Sequence, residues 1–103
     1  DAPSREVLLA LAKDVTETSV TLTLANTEYP YTIPAGTRQI LFHLRSLGYN
    51  LQYSFTTGGP YRTVPAGGSR ELTQIFIGAA KIIYFKVTDA GGAGDVVDLE
   101  IWT

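Results

Sequence analysis

Apolar residues recur with a period of two along most of this chain, and that pattern points to β-structure before any other feature is weighed. In Thr18–Leu24, Val20, Leu22 and Leu24 alternate with Ser19, Thr21 and Thr23, as in a strand with one buried face. Arg38–Arg45 sets Ile40, Phe42 and Leu44 against Gln39, Leu41 and His43. Tyr49–Phe55 places Tyr49, Leu51, Tyr53 and Phe55 on the core side, opposite Asn50, Gln52 and Ser54. Lys81–Thr88 and Asp95–Trp102 read as two further strands. The segment Asp89-Ala-Gly-Gly-Ala-Gly94 joins them, and its glycines can supply the positive φ values of a hairpin or short loop. Shorter strands are expected at Glu28–Ile33 and Arg70–Ile77. Glu6–Lys13 has helix-forming composition too, but a strand is preferred there because every other element is one.

Seven or eight short strands between turn signals predict an all-β fold. The expected architecture is a two-sheet antiparallel β-sandwich, jelly-roll-like, formed as a single domain over residues 1–103. Asp1–Arg5, polar and containing Pro3, is a candidate N-terminal arm reaching a neighbouring subunit. The length fits one domain, which at this size removes roughly 60–70% of its unfolded surface from water. Hydrophobic residues make up 45% of the chain, as in globular rather than disordered proteins.

Two turns resemble each other. Tyr31-Thr-Ile-Pro-Ala-Gly36 and Tyr61-Arg-Thr-Val-Pro-Ala-Gly67 share a tyrosine, a β-branched residue and Pro-Ala-Gly, and each leads into a strand. Proline at the second position and glycine at the fourth predict a type I turn. The repetition reads either as one turn solution used twice or as a duplicated strand–turn–strand unit. It is not a repeat array, which needs longer units recurring at least three times.

A net charge of −2 lacks the basic footprint of a nucleic-acid binder. No apolar run approaches the ~20 residues of a membrane span, and no signal-peptide pattern opens the chain. Without cysteine there is no disulfide framework and no thiolate metal site. With no methionine, Asp1 is not expected to be the genetic first residue.

Residues that carry chemistry are few. His43 is the sole histidine, lies mid-strand opposite Phe42, and has no nucleophile elbow to serve. Asp89, Asp95, Asp98 and Glu100 gather near the C-terminus, but calcium needs six or more convergent oxygens, and a solvated strand face is the preferred reading. Gly91, Gly92 and Gly94 precede neither a Lys-Ser/Thr pair nor a helix, so they do not form a phosphate loop. The expectation is a protein that is not an enzyme and holds no cofactor and no metal.

Two surfaces remain as candidates for function. Tyr29, Tyr31, Tyr61 and Trp102 could stack against sugar rings, although aromatic side chains also suit half-buried strands for structural reasons alone. The other candidate is an interface. Lys81–Val87 puts Ile82 and Tyr84 opposite a face already filled by Ile83, Phe85 and Val87. Glu6–Ala12 likewise puts Leu8 and Ala10 opposite Val7, Leu9 and Leu11. A lone sandwich needs one apolar face per strand, so a second one marks a contact surface or a covering loop.

The stretch from about Ile33 to Trp102 resembles small β-sandwich virion proteins of tailed bacteriophages, most of all capsid decoration (cement) proteins. The residues that carry the resemblance are Ile33-Pro-Ala-Gly-Thr37, Tyr53-Ser-Phe55, Thr63-Val-Pro-Ala-Gly-Gly-Ser69, Ile83-Tyr-Phe85 and Val97-Asp-Leu-Glu-Ile-Trp102. The resemblance implies a non-enzymatic homotrimer on the virion surface that binds the major capsid protein, or another virion protein, and bridges coat subunits. The charge and the lack of an apolar span lead us to expect no nucleic-acid or membrane partner. Related sandwiches serve in tails and head fibres. The competing expectation is a monomeric carbohydrate-binding module using Tyr29, Tyr31, Tyr61 or Trp102.

Overall fold

β-Branched and aromatic residues at alternate positions let a strand turn one apolar face toward a second sheet. The computed structural model describes residues 14–73 and 77–103. Within them the strands are β1 (Val15–Leu22), β2 (Tyr29–Ile33), β3 (Gln39–Leu44), β4 (Leu51–Ser54), β5 (Arg62–Val64), β6 (Arg70–Leu72), β7 (Lys81–Lys86) and β8 (Asp95–Trp102). Glu6–Lys13, with Leu8 and Ala10, lies outside the described residues, as do positions 74–76 of the stretch expected to continue β6.

The strands form two antiparallel sheets, ordered β1-β8-β3-β6 and β2-β7-β4-β5. Every strand therefore pairs with its mirror in chain order: β1 with β8, β2 with β7, β3 with β6, and β4 with β5. The chain is a long antiparallel ribbon wound into a sandwich, and the jelly-roll-like fold expected from the alternation is present. Hydrogen bonds stitch the ribbon at its corners. Gly36 N–H donates to the Ile77 carbonyl and Ile77 N–H to that of Thr37, at 2.6 and 3.0 Å. At the opposite end Asn26 N–H reaches the Val87 carbonyl and Gly94 N–H that of Leu22, both at 2.7 Å.

The core lies between the sheets. Ile40, Phe42 and Leu44 of β3 and Val97, Leu99 and Ile101 of β8 face Ile33, Leu51, Tyr53, Ile83 and Phe85, all buried. Phe42 stands edge-on to Tyr53 and to Phe85, with centroids 5.1 and 5.2 Å apart, so three rings lock the two sheets together. Each fully buried side chain of this kind contributes about 1.5–3 kcal/mol of transfer free energy.

Several expectations are corrected. β7 and β8 do not form a hairpin: they belong to different sheets, and a 3₁₀ turn at Ala90–Gly92 carries the chain across. The Pro-Ala-Gly turns are not type I. Pro34 and Pro65 occupy the first position, their carbonyls accepting from Thr37 and Gly68 N–H, and Gly36 and Gly67 take the third with φ of +90° and +80°. That is the type II pattern, in which the third residue needs a positive φ and glycine meets it without steric cost. Both turns carry the chain from the second sheet to the first, one at each end of the sandwich. Leu24 lies beyond β1 in the loop and is 60% exposed, because Asn26 at φ +56° already turns the chain toward β2. Phe55 follows the end of β4 and is 37% exposed, and Tyr49 is half-buried against the core rather than inside it.

Candidate functional site

The outer faces of the two sheets differ in chemistry. On the first sheet the register lines up Glu17, Glu100, Leu41 and Glu71 in one row and Ser19, Asp98 and His43 in the next. A shallow depression of about 190 Å³ lies over Glu17, Leu41, His43, Asp98 and Glu100. Most of its acids have protein donors. Arg45 grips Asp98 through Nε and a terminal nitrogen at 3.1 and 2.7 Å, which holds the Asp98 carboxyl below its ordinary value of 3.8. The Trp102 indole N–H donates to Glu100 at 2.7 Å, and Gln39 Nε2 donates to Glu71 at 2.8 Å. Asp95 Oδ1 accepts from the backbone of Val96 and Ser46, and Asp89 Oδ1 from Gly91. Among the described residues, no group of three or more His, Asp or Glu side chains is arranged to hold a metal ion. His43 stands on the outer face with Nδ1 2.9 Å from the Leu44 carbonyl.

The second sheet presents Pro30 and Thr32 of β2, Ile82, Tyr84 and Lys86 of β7, and Gln52 of β4, while Ser54 is buried; the pairings Pro30–Tyr84–Ser54 and Thr32–Ile82 place them side by side. β7 is a central strand, and its inner face is filled by Ile83 and Phe85. Ile82 is nevertheless 41% exposed and Tyr84 half-buried. Sequence reasoning located these two residues because β7 alternates apolar with apolar.

The β4–β5 loop bounds this strip. Glu28, just before β2, accepts from Thr57 Oγ1 at 2.8 Å, from Gly58 N–H at 2.6 Å and from the Tyr61 hydroxyl. The Tyr61 ring lies 4.0 Å from Lys86 Nζ, a cation–π contact. Since β2 and β4 stand on either side of β7, the loop arches over the outer face of β7 at Lys86, away from Ile82. The three donors, Tyr61 first, hold the Glu28 carboxyl below its ordinary value of 4.5, whereas partial burial and the bond to Glu28 push the Tyr61 hydroxyl up to about 12.

The four candidate sugar-stacking residues are not brought onto one surface. Tyr29 and Tyr31 pair with Phe85 and Ile83 and pack inward against the core, where burial raises the Tyr31 hydroxyl above its ordinary value of 10.0. The Tyr29 hydroxyl accepts from Leu24 N–H at 2.8 Å. Tyr61 is held by Glu28 and Lys86 on the second sheet, and Trp102 lies half-buried on the outer face of the first. Of the candidate interface residues, Ile82 and Tyr84 share one exposed face, while Leu8 and Ala10 lie outside the described residues. Sequence reasoning missed Leu47, which is 64% exposed in the β3–β4 loop, at the same end of the sandwich as Leu24. Its only signal is an isolated leucine between Ser46 and Gly48.

The strand order and the winding of the ribbon define a double-stranded β-helix, the jelly-roll class. In agreement, the chain is similar to a de novo designed double-stranded β-helix solved by solution NMR. The match has a TM-score of 0.53 at 12% identity and covers 88% of this chain and 100% of the design. The likeness concerns the fold alone. No family model and no curated protein matches the sequence. Among the described residues, no helix is long and apolar enough to cross a membrane.

Proposed function

We propose that this chain is a non-enzymatic assembly module that docks on another protein through the Ile82–Tyr84 strip of its second sheet. In its specific form it is a capsid decoration protein on the outside of a phage head, bridging coat subunits. One observation carries the reading: a central strand, already buried on its inner face, exposes an isoleucine on its outer face beside a half-buried tyrosine. A monomer gains nothing from that arrangement, whereas a partner surface does. Tyrosine beside an aliphatic residue supplies a large contact area with a polar tip, the composition of interface centres. The virion setting rests on the resemblance of residues 33–102 to decoration proteins.

The test is co-sedimentation with shells assembled from the coat protein of the same virus, comparing the unaltered chain with an Ile82→Asp/Tyr84→Asp variant. Both substitutions lie on an outer face, so circular dichroism should show an unchanged fold. The expected outcome is binding by the unaltered chain and at least about a tenfold loss in the variant, the effect of roughly 1.4 kcal/mol at a contact centre. A folded variant that binds as well as the original would remove this face from the account.

A further inference from the structure

We infer that the outer edge of β1 is a self-association site, and that its occupant is the β1 strand of a second copy of this chain. β1 is the outermost strand of the first sheet. Asp14 and Thr103 exchange N–H and C=O bonds at 3.3 and 2.9 Å, and the Leu22 carbonyl is turned toward Gly94. In an antiparallel ladder this fixes the phase: Thr16, Thr18, Val20 and Leu22 direct their backbone groups at β8, and Val15, Glu17, Ser19 and Thr21 direct theirs away. Among the described residues, no strand pairs with that outward row.

Among the described residues, the remaining sheet edges are blunted, and β1 is not. β5 and β6 are three residues long, and β2 carries Pro30, which has no N–H to offer. β1 runs for eight residues in unbroken register with β8, without proline, bulge, lysine or arginine. Such an edge is a template for another strand.

A strand can pair antiparallel with its own copy about a two-fold axis, and charge restricts the register. A two-fold axis through Ser19 sets Ser19 opposite Ser19 of the other copy and Glu17 opposite its Thr21, so the outward N–H and C=O groups of Glu17, Ser19 and Thr21 all find partners. An axis at Glu17 would instead place like charges face to face, and one at Thr18 would set them on the near diagonal. The Ser19 register joins the first sheets of two copies into one continuous sheet. An edge contact of this length falls below the roughly 1,200 Å² of a standard interface, so the dimer is expected to depend on concentration. It lies on the first sheet and the Ile82–Tyr84 strip on the second, so either can fail alone.

The chain has no cysteine, so Ser19→Cys introduces a single thiol. Opposed residues in a bonded antiparallel pair have Cα atoms about 5.5 Å apart, within disulfide range. The expected result is rapid oxidation of the Ser19→Cys variant to a covalent dimer, with an exposed Thr63→Cys control far slower. Light scattering on the unaltered chain should show the mass rising from one chain to two with concentration, and Ser19→Pro should hold it at one. If the proline variant fails to fold, Ser19→Lys, which opposes two cations, serves the same purpose. A chain that stays monomeric at every concentration, with Ser19→Cys no faster than the control, would overturn the proposal. So would slow hydrogen exchange at Glu17, Ser19 and Thr21 in a monomer, since the chain's own residues would then fill the edge.

Discussion

The Tyr61 hydroxyl donates to the Glu28 carboxylate across 33 residues of sequence, and this bond holds the β4–β5 loop down on the outer face of the second sheet. The same carboxylate takes up the Gly58 N–H, so one side chain organises the loop. Replacing Glu28 with Ala should free the loop without unfolding the sandwich. Faster hydrogen exchange at Gly58, with the β3 and β8 amides unchanged, is the expected signature.

The pH dependence of this loop follows from two opposite shifts. Glu28 is depressed in the folded chain, so its contribution is present above the ordinary carboxyl value of 4.5 and is lost as pH falls through the lowered value. Tyr61 is raised, so its contribution is present below 10.0 and is lost as pH rises through about 12. The loop should therefore be held between mildly acidic and mildly alkaline pH and released at both extremes. Ultraviolet titration of tyrosinate should show one tyrosine ionising near 12, and Glu28→Gln should bring that step down.

Phe42 joins the sheets through its contacts with Tyr53 and Phe85 and is fully buried. Phe42→Ala should cost about 3–5 kcal/mol in chemical denaturation, the range for deleting a buried ring. Phe42→Leu should cost less, since it keeps most of the volume and loses the edge-on ring contacts.

Two glycines should fail for different reasons. At Gly36 an added Cβ would meet nothing within 4 Å, so Gly36→Ala pays only for φ +90°, about 1–2 kcal/mol. At Gly92 the added Cβ would lie 2.6 Å from Cγ2 of buried Val87, and overpacking of about 1–3 kcal/mol is expected. A second-site Val87→Ala should recover part of the loss at Gly92 and none at Gly36, as denaturation of the double variants will show.

Thr37 is buried, and its hydroxyl donates to the Pro34 carbonyl at 2.8 Å. Thr37→Val keeps the shape and removes that bond inside a closed turn. A loss of about 1–2 kcal/mol is expected, with Thr37→Ser falling nearer the original.

The fold was legible in the sequence where a strand has one wet face. Ile40, Phe42 and Leu44 against Gln39, Leu41 and His43 give β3 directly, and Val97, Leu99 and Ile101 give β8. Strand ends were less legible, because alternation continues into Leu24 and Phe55 after the backbone has turned away. Only the geometry at Asn26 and the end of β4 reveals this. The pairing of β7 with β2 and β4 rather than β8 was hidden for a related reason. A glycine-rich link suits a hairpin and a sheet-to-sheet crossing equally, and long-range packing decides between them. At the site, Ile82 and Tyr84 were visible as excess apolar surface on one strand. The loop anchored by Glu28 was not, since nothing local relates residue 28 to residues 57, 58 and 61.

The paired backbone bonds between Asp14 and Thr103 have a practical consequence. Where the described chain enters the sandwich and where it leaves lie one strand spacing apart, about 5 Å. In a variant cut to residues 14–103, a short peptide can therefore close that gap and fresh ends can be opened elsewhere, for instance in the exposed loop at Leu47. For the same reason the sandwich can be spliced into a loop of an unrelated host protein as a rigid two-point graft, with the strip of the second sheet facing outward as cargo.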